Sequence, residues 1–346
     1  MKYKINKKLP DFSTGMRGAM VVDTYEDENL RILKSWGANL IRWRMYNCTY
    51  VTVLDRINAL QQTLDFCLEN GMKVIVVLMK KIDDNVQNVV TERYRDGERK
   101  DEYKMFYDLT LYNEFLRIWR LIASNIAGHP ALYAYNPINE PFFRNGSGAV
   151  KSHLDAQIDV ANIIREYDSI TPITIEPNIW SNPDGFNGFN PISSIGKVVY
   201  QVHFYQPFEY THQGVWNPEL QTKYSYPGII DEKYEDKNTL RKKLEPAFQF
   251  QQNNPGVKML VGEFSAIRWA NGAAEWIDDC ISLFEEYGWD WCYHAFREYS
   301  GWSVEHVGDI THDGDPRVEY DTDRKEVLLK YYKLNNRVKS TIFTKD

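Results

Sequence analysis

The chain has 346 residues, of which 43% are hydrophobic, so it is long enough to bury a sizeable core in one or two domains. Its net charge is −7 and it has no dense basic tract, which argues against nucleic acid as a partner. No apolar run approaches the length of a membrane span. The composition therefore favours a globular protein that binds neither nucleic acid nor a membrane.

Short apolar runs alternate with amphipathic stretches along the chain, a pattern typical of βα units around a parallel sheet. Eight runs are predicted as strands: Gly15–Met20, Ala38–Met45, Lys73–Met79, Ala131–Ile138, Pro172–Glu176, Lys197–His203, Lys258–Val261 and Trp289–Phe296. The predicted helices are Glu26–Trp36, Val53–Glu69, Leu109–Ile126, Val150–Tyr167, Asn238–Gln252, Gly272–Tyr287 and Asp323–Leu334. The connection behind the fifth strand is poorly defined. This count predicts an α/β fold, a (β/α)8 TIM barrel forming a single domain over residues 1–346.

Three short polar segments lie at the carboxyl ends of predicted strands, where barrels carry their active sites. They are Asn139-Glu140-Pro141, His203-Phe204-Tyr205 and Gly262-Glu263-Phe264. Pro141 keeps Glu140 out of helical geometry, so the fourth strand ends there. A single glutamate is usually a solvated or salt-bridged group. Two glutamates at strand ends across one barrel mouth, with polar groups between them, are what cleavage of a glycosidic bond requires.

The chain resembles glycoside hydrolase family 5, the cellulase-like retaining glycosidases of the (β/α)8 clan. The resemblance covers roughly residues 15–305 and rests on four ordered segments. These are Gly37-Ala38-Asn39-Leu40-Ile41-Arg42, Asn139-Glu140-Pro141, His203-Phe204-Tyr205 and Gly262-Glu263-Phe264. An isolated Asn-Glu-Pro is a weak signal, whereas four ordered matches at four strand ends are a strong one.

The resemblance implies double displacement, with Glu263 as the nucleophile and Glu140 as the acid/base. Glu140 would protonate the leaving oxygen and then deprotonate the incoming water. Arg42 would keep Glu263 ionised, and Tyr205 would orient Glu263 through a hydrogen bond. Asn139 would hold the 2-hydroxyl of the sugar beside the cleaved bond.

His203 and Arg44 are two further polar residues on predicted strands. His203 is expected to contact either the substrate or the acid/base. Arg44 has the same strand parity as Arg42 and points inward, and a salt bridge in the barrel core is the favoured interpretation of it.

Two positions depart from the family pattern, and both concern the walls that hold the substrate. Met79-Lys80-Lys81 stands where many members carry a histidine after the third strand. His294 stands where many carry a platform tryptophan under the sugar. Trp302 is the favoured replacement for that platform, and Trp269 and Trp180 are the alternatives.

The loop after the sixth predicted strand is long and aromatic, and long ordered loops are usually functional. It either lines a polysaccharide cleft or packs on the barrel, and its aromatic residues are Tyr210, Trp216, Tyr224 and Tyr226.

Neither a metal nor a cofactor is expected. The seven histidines include no His-x-His pair and no His-Glu-x-x-His. The acidic cluster of Asp309, Asp313 and Asp315 lacks the spacing of a calcium loop, so it is predicted to be a polar turn. The cysteines have no Cys-x-x-Cys spacing and are predicted to be buried free thiols: Cys48, Cys67, Cys280 and Cys292.

The leading hypothesis is an endo-β-1,4-glucanase that cleaves a β-linked polysaccharide or oligosaccharide. A β-mannanase or another β-glycosidase of the same family would use the same glutamates, so it stays open. An inactive sugar-binding barrel and a metal-dependent barrel hydrolase are the alternatives from other classes. We expect a monomer without an accessory carbohydrate-binding module. Met1–Pro10 is basic but lacks the apolar region of a signal peptide, so no compartment is assigned.

Overall fold

The computed structural model describes residues 15–22, 24–45, 53–79, 90–144, 148–308 and 316–335. Several predicted features lie outside these residues: the Met1–Pro10 segment, Cys48, Lys80 and Lys81, and the cluster of Asp309, Asp313 and Asp315.

Eight parallel strands close into a barrel, which confirms the predicted (β/α)8 fold. In chain order the strands are β1 (Arg17–Val21), β2 (Leu40–Met45), β3 (Lys73–Leu78), β4 (Leu132–Asn136), β5 (Ile173–Ile175), β6 (Val198–Phe204), the hairpin strands β7 (Gly228–Ile230) and β8 (Lys233–Glu235), β9 (Lys258–Phe264) and β10 (Asp290–Tyr293). The antiparallel β7–β8 hairpin lies outside the barrel, so β6 pairs directly with β9 and β10 closes onto β1.

The described helices are α1 (Asp27–Ser35), α2 (Val53–Glu69), α3 (Leu109–Ile126), α4 (His153–Tyr167), α5 (Phe208–Thr211), α6 (Lys237–Asn253), α7 (Ala273–Tyr287) and α8 (Asp323–Tyr332). Local chemistry sets several of their ends. The Asp108 carboxylate accepts hydrogen bonds from two N–H groups in the first turn of α3, and α7 ends at Gly288 in the left-handed conformation. Behind β5, where no helix is predicted, the chain forms a short 3₁₀ helix over Pro183–Phe186.

The barrel interior has an apolar floor and a polar upper part. Leu40, Ile75 and Leu260 pack together inside the barrel, whereas Trp43 belongs to the larger core between strands and helices. Because alternate residues of a strand share a face, Arg42 points inward one step above Leu40. The strands therefore place charged side chains above a closed hydrophobic layer, at the rim where the strands end.

The aromatic loop after β6 is partly a packing element. Tyr210 and Tyr226 are buried in the main core, so the suggestion that they line a cleft is wrong for these two residues. Their ring centroids lie 5.9 Å apart, and both rings belong to the main hydrophobic cluster. Tyr224 is partly buried against the same core, whereas Trp216 is 72% exposed, so the cleft hypothesis stays open for Trp216.

Cys67, Cys280 and Cys292 are free and buried, in agreement with the prediction for the described cysteines. None of the described helices combines the length and the apolar character that crossing a bilayer needs.

Candidate active site

The candidate site lies at the carboxyl ends of β4, β6 and β9. The pairing of β6 with β9 shifts between Val202 and His203, so that His203 stands beside Glu263. Gly262 makes this shift possible, because a Cβ at that position would lie 2.5 Å from Gln201 Cδ and 2.8 Å from His203 Nε2. The irregular pairing brings the imidazole and the carboxylate to the same rim.

Glu140 and Glu263 meet around His203. The Nδ1 atom of His203 lies 3.0 Å from Glu140 Oε1 and 4.0 Å from Glu263 Oε2. One ligand atom from each of the three side chains lies within 4.8 Å of the others. Carboxyl groups of retaining glycosidases are about 5 Å apart, and those of inverting enzymes are roughly 6.5–9.5 Å apart. The two glutamates singled out in the sequence therefore lie together at the barrel rim, at a separation typical of retention.

Glu263 is buried and held from two sides. Arg42 Nη1 donates to Glu263 Oε1 at 2.5 Å, and the Tyr205 hydroxyl donates to Glu263 Oε2 at 2.9 Å. Burial by itself raises the pKa of the Glu263 carboxyl. The cationic groups around it, first His203 and His294 and then Arg42, outweigh burial and hold that pKa well below its ordinary value. The surroundings of Glu263 therefore favour the ionised carboxylate over the protonated acid.

Asn139 and Asn136 lie on the other side of Arg42. Arg42 Nη2 donates to Asn139 Oδ1 and to Asn136 Oδ1, each at 2.8 Å. Asn139 is therefore in the site, beside the guanidinium rather than on a separate wall.

His203 contacts the candidate acid/base and is almost fully buried. Gln201 Nε2 lies 3.0 Å from His203 Nε2, and Glu140 Oε1 lies 3.0 Å from His203 Nδ1, so both ring nitrogens have a polar neighbour. Burial opposes the charged imidazole, but the carboxylates of Glu263 and Glu176 outweigh burial and raise the pKa of His203.

His294 joins Tyr205 to an ion pair. Its Nδ1 atom lies 2.7 Å from the Tyr205 hydroxyl oxygen, and its Nε2 atom lies 3.0 Å from Glu298 Oε2. Glu298 forms an ion pair with Arg44. Arg44 thus makes a salt bridge as expected, but at the rim of the site beside His294. Burial opposes ionisation of Glu298, and Arg44 and His294 overcome it and lower the pKa of Glu298.

Glu140 has an unusual backbone. Its φ is +48°, in the left-handed region, which strains a residue with a side chain. Arg93 Nη2 donates to the Glu140 carbonyl oxygen at 2.7 Å, and the Tyr103 hydroxyl donates to the Asn139 carbonyl oxygen. Side chains from the segment before α3 therefore hold the loop after β4 in place.

Glu176 is a buried carboxylate in the site that the sequence analysis did not select. It follows β5, and its Oε2 atom accepts the Glu140 backbone N–H at 2.6 Å. A signal for it exists, because Glu176-Pro177 after an apolar strand repeats the arrangement of Glu140-Pro141. The strand pattern alone assigns Glu176 only as the last residue of the fifth predicted strand.

The tryptophans proposed as sugar platforms occupy different places. Trp302 lies at the site, with its ring centroid 6.0 Å from His294 and 6.2 Å from Tyr205. Trp180 is partly exposed and stacks on Phe142 at 3.9 Å. Trp269 is buried, as Trp302 is, and its indole N–H donates to the backbone carbonyl of Gln213.

The cluster of Glu140, His203 and Glu263 is compact enough for a metal ion. However, Arg42 already supplies a positive charge directly on Glu263, and His203 Nδ1 lies 3.0 Å from Glu140 Oε1. A metal would have to compete with both contacts, so the arrangement fits acid/base and nucleophilic chemistry better.

Comparison with known proteins identifies the family of this chain. The model of the family described as Cellulase (glycosyl hydrolase family 5) matches residues 5–300. The chain belongs to glycosyl hydrolase family 5. Endoglucanase C of Acetivibrio thermocellus is 30% identical over 234 residues, covering 59% of this chain and 66% of that protein. Endoglucanase C307 of Clostridium sp. (strain F1) is 30% identical over 231 residues with the same coverage. The family 5 chain thus spans just under two thirds of the length of these relatives.

Solved structures share the barrel of this family 5 chain. Cel5A of Thermotoga maritima in complex with mannotriose has a TM-score of 0.68 at 19% identity, covering 90% of this chain and 97% of that one. The Clostridial cellulose synthase subunit Z (CcsZ) from Clostridioides difficile has a TM-score of 0.69 at 17% identity, covering 91% and 99%. At these identities the likeness is one of fold.

Proposed function

We propose that this chain is a retaining endo-β-1,4-glucanase whose catalytic domain is the single barrel described above. The observation that carries the proposal is the pair of carboxylates on Glu140 and Glu263, within 4.8 Å of each other at the barrel rim. Membership in the cellulase family and the endoglucanase names of the relatives support the choice of a β-glucan.

In the proposed first step, the ionised Glu263 attacks the anomeric carbon while Glu140 donates its proton to the leaving oxygen, so the glycosidic bond breaks as the glycosyl-enzyme forms. In the second step Glu140 takes a proton from water, the water attacks the anomeric carbon, and Glu263 leaves. Both steps invert the anomeric carbon, so the product keeps the β configuration. Tyr205 and Arg42 hold Glu263 in line for the attack. Asn139, beside the Arg42 guanidinium, binds the 2-hydroxyl.

The test compares carboxymethyl-cellulose, lichenan, xyloglucan and mannan in one assay, with the anomer of the first product read by NMR. We expect β products and the highest kcat/KM on a β-1,4-glucan. Preference for mannan would replace the glucanase with the mannanase that uses the same glutamates. No hydrolysis of any β-glycan would favour a sugar-binding barrel.

Azide separates the roles of the two glutamates. Glu140→Ala should give a β-glycosyl azide, because azide enters where the water would. Glu263→Ala should give an α-glycosyl azide, because azide then takes the place of the nucleophile. Identical products from both variants would contradict the assignment.

A further inference from the structure

Glu176 has a set of contacts that points to a role in the reaction. Its side chain is fully buried at the end of β5. On one oxygen, Oε1, it accepts hydrogen bonds from Asn136 Nδ2 at 2.8 Å and from Gln201 Nε2, and Arg42 Nη2 lies 3.3 Å away. On the other oxygen, Oε2, it accepts the Glu140 backbone N–H and the hydroxyl of Ser181.

The Oε2 atom of Glu176 contacts the backbone of Glu140, and that backbone sets the direction of the Glu140 side chain. The left-handed φ of +48° strains a residue that has a Cβ, so surrounding contacts must hold it. The N–H of Glu140 is held by Glu176, and its carbonyl oxygen is held by Arg93. Since the direction of a side chain follows from its backbone, these contacts decide where the Glu140 carboxyl group points.

The Glu176 carboxylate is itself well fixed. The Glu176 N–H donates to Gln157 Oε1 and its carbonyl oxygen accepts from Gln157 Nε2, both at 2.9 Å. This double contact ties the end of β5 to α4. The anchor of Glu140 is therefore itself fixed to a helix of the barrel.

We propose that Glu176 is a positioning residue that holds the acid/base Glu140 in its proton-donating orientation. The proposal rests on the function proposed above, since it requires Glu140 to act as the acid. Glu176 touches no reacting atom and acts through the backbone of Glu140. It would be needed most when the leaving oxygen requires a proton.

Glu176→Gln tests this with little change of shape. Every neighbour of the carboxylate donates a hydrogen bond, so the new NH₂ group must face a donor. Arg42, Asn136 and Gln201 favour keeping the remaining oxygen at the Oε1 position. The NH₂ group then faces the Glu140 N–H, and the contact that holds Glu140 is lost.

The measurement is kcat/KM for aryl β-cellobiosides whose leaving phenols range from acidic to weakly acidic. We expect Glu176→Gln to lower kcat/KM roughly ten- to a hundredfold more for the poorest leaving group than for dinitrophenol. This loss is part of the rate enhancement that general acid catalysis contributes. An equal loss on all substrates would show a structural role alone and overturn the proposal, as would no loss. Glu235→Gln is the matched control, because Glu235 is a buried carboxylate on the β8 hairpin strand, bonded to Thr239 and Lys243 outside the site.

Ser181→Ala covers the case in which Glu176→Gln does not fold. Ser181→Ala removes one hydrogen-bond donor from the same oxygen of Glu176. We expect kcat/KM to depend more strongly on the leaving group than in the wild type, but less strongly than in Glu176→Gln. An unchanged leaving-group dependence would overturn the proposal. Glu140→Ala separates the two proposals. If kcat/KM depends steeply on the leaving group in Glu140→Ala but not in the Glu176 and Ser181 variants, only the positioning role is wrong. If kcat/KM of Glu140→Ala does not depend on the leaving group, the acid/base assignment is wrong, and the positioning role with it.

Discussion

Arg42 and Glu263 form a nearly water-free ion pair. The distance from Arg42 Nη1 to Glu263 Oε1 is 2.5 Å, and the two side chains are 0% and 4% exposed. Such a pair is little screened by solvent or salt, and removing one partner leaves the other charge buried and uncompensated. Arg42 also contacts Asn136 and Asn139, so it is fixed in place. Arg42 therefore joins the candidate nucleophile, Glu263, to the buried amides of the barrel interior.

Replacing Arg42 by methionine should move the acidic limb of the kcat/KM profile to higher pH. Glu263 must be ionised to attack, and without Arg42 the effect of burial on its pKa is less opposed, so its pKa rises. The depressed pKa also stabilises the fold above the unfolded carboxyl pKa of about 4.3, and this contribution is lost as the pH falls toward the folded value. Denaturation at pH 7 should show a loss of about 3–5 kcal/mol.

Arg17→Met is the control for Arg42→Met. Arg17 makes a two-point ion pair with Glu285 at the opposite end of the barrel. It should lower stability modestly and leave the pH profile of activity unchanged. An acidic limb that stays in place in Arg42→Met would show that Arg42 does not set the ionisation of Glu263.

The sequence predicted the meeting of Glu140 and Glu263 for a simple physical reason. Parallel strands in a closed barrel bring their carboxyl ends to one rim, so two residues at strand ends become neighbours although they are far apart in the chain. Arg42 is placed by the same rule, together with the alternation of inward and outward residues on β2.

Other features of the site depend on contacts that strand periodicity does not encode. The register shift at Gly262 changes which residues of β9 face inward. The left-handed Glu140 depends on Glu176 and Arg93, which come from other segments of the chain. The burial of Trp269 goes with a hydrogen bond from its indole N–H to Gln213, which lies 56 positions away in the chain. Such contacts are decided by tertiary packing and were not predicted.

Tyr205→Phe should reduce kcat/KM by roughly ten- to a hundredfold. The lost hydrogen bond to the Glu263 carboxylate is worth about 1.5–3 kcal/mol because its acceptor is charged. The same loss should shift the acidic limb upward in pH, in the direction expected for Arg42→Met. The measurement is the pH dependence of kcat/KM on one aryl cellobioside.

Tyr135→Phe is the matched control for Tyr205→Phe. Tyr135 is a buried tyrosine whose hydroxyl oxygen lies 3.1 Å from Asp168 in the layer between barrel and helices. Its loss should affect stability and not the acidic limb. If the two phenylalanine variants have the same pH profile, the contact between Tyr205 and Glu263 does not matter for the nucleophile.

Trp216 stands at the exposed end of a ring stack that starts at Tyr205. His212 lies 5.1 Å from the Tyr205 ring, and it stacks on Phe208 at 4.0 Å and on Trp216 at 5.6 Å. Burial lowers the pKa of His212 to about 3, so its ring stays neutral and packs as a flat apolar surface. An indole that is 72% exposed at the end of such a stack can meet the apolar face of a sugar beyond the cleaved bond.

Trp216→Ala should therefore raise KM for polysaccharide about three- to tenfold, the range expected for one aromatic contact, and leave kcat/KM for a small aryl glycoside unchanged. Tyr234→Ala is the control, because Tyr234 is 62% exposed on the β8 strand of the hairpin. Unchanged polysaccharide kinetics in Trp216→Ala would remove this residue from the cleft. An equal rise of KM for polysaccharide in Tyr234→Ala would point to general adsorption of the polymer on exposed aromatic rings. The two rings should differ only if the bound polysaccharide passes over Trp216 and not over Tyr234.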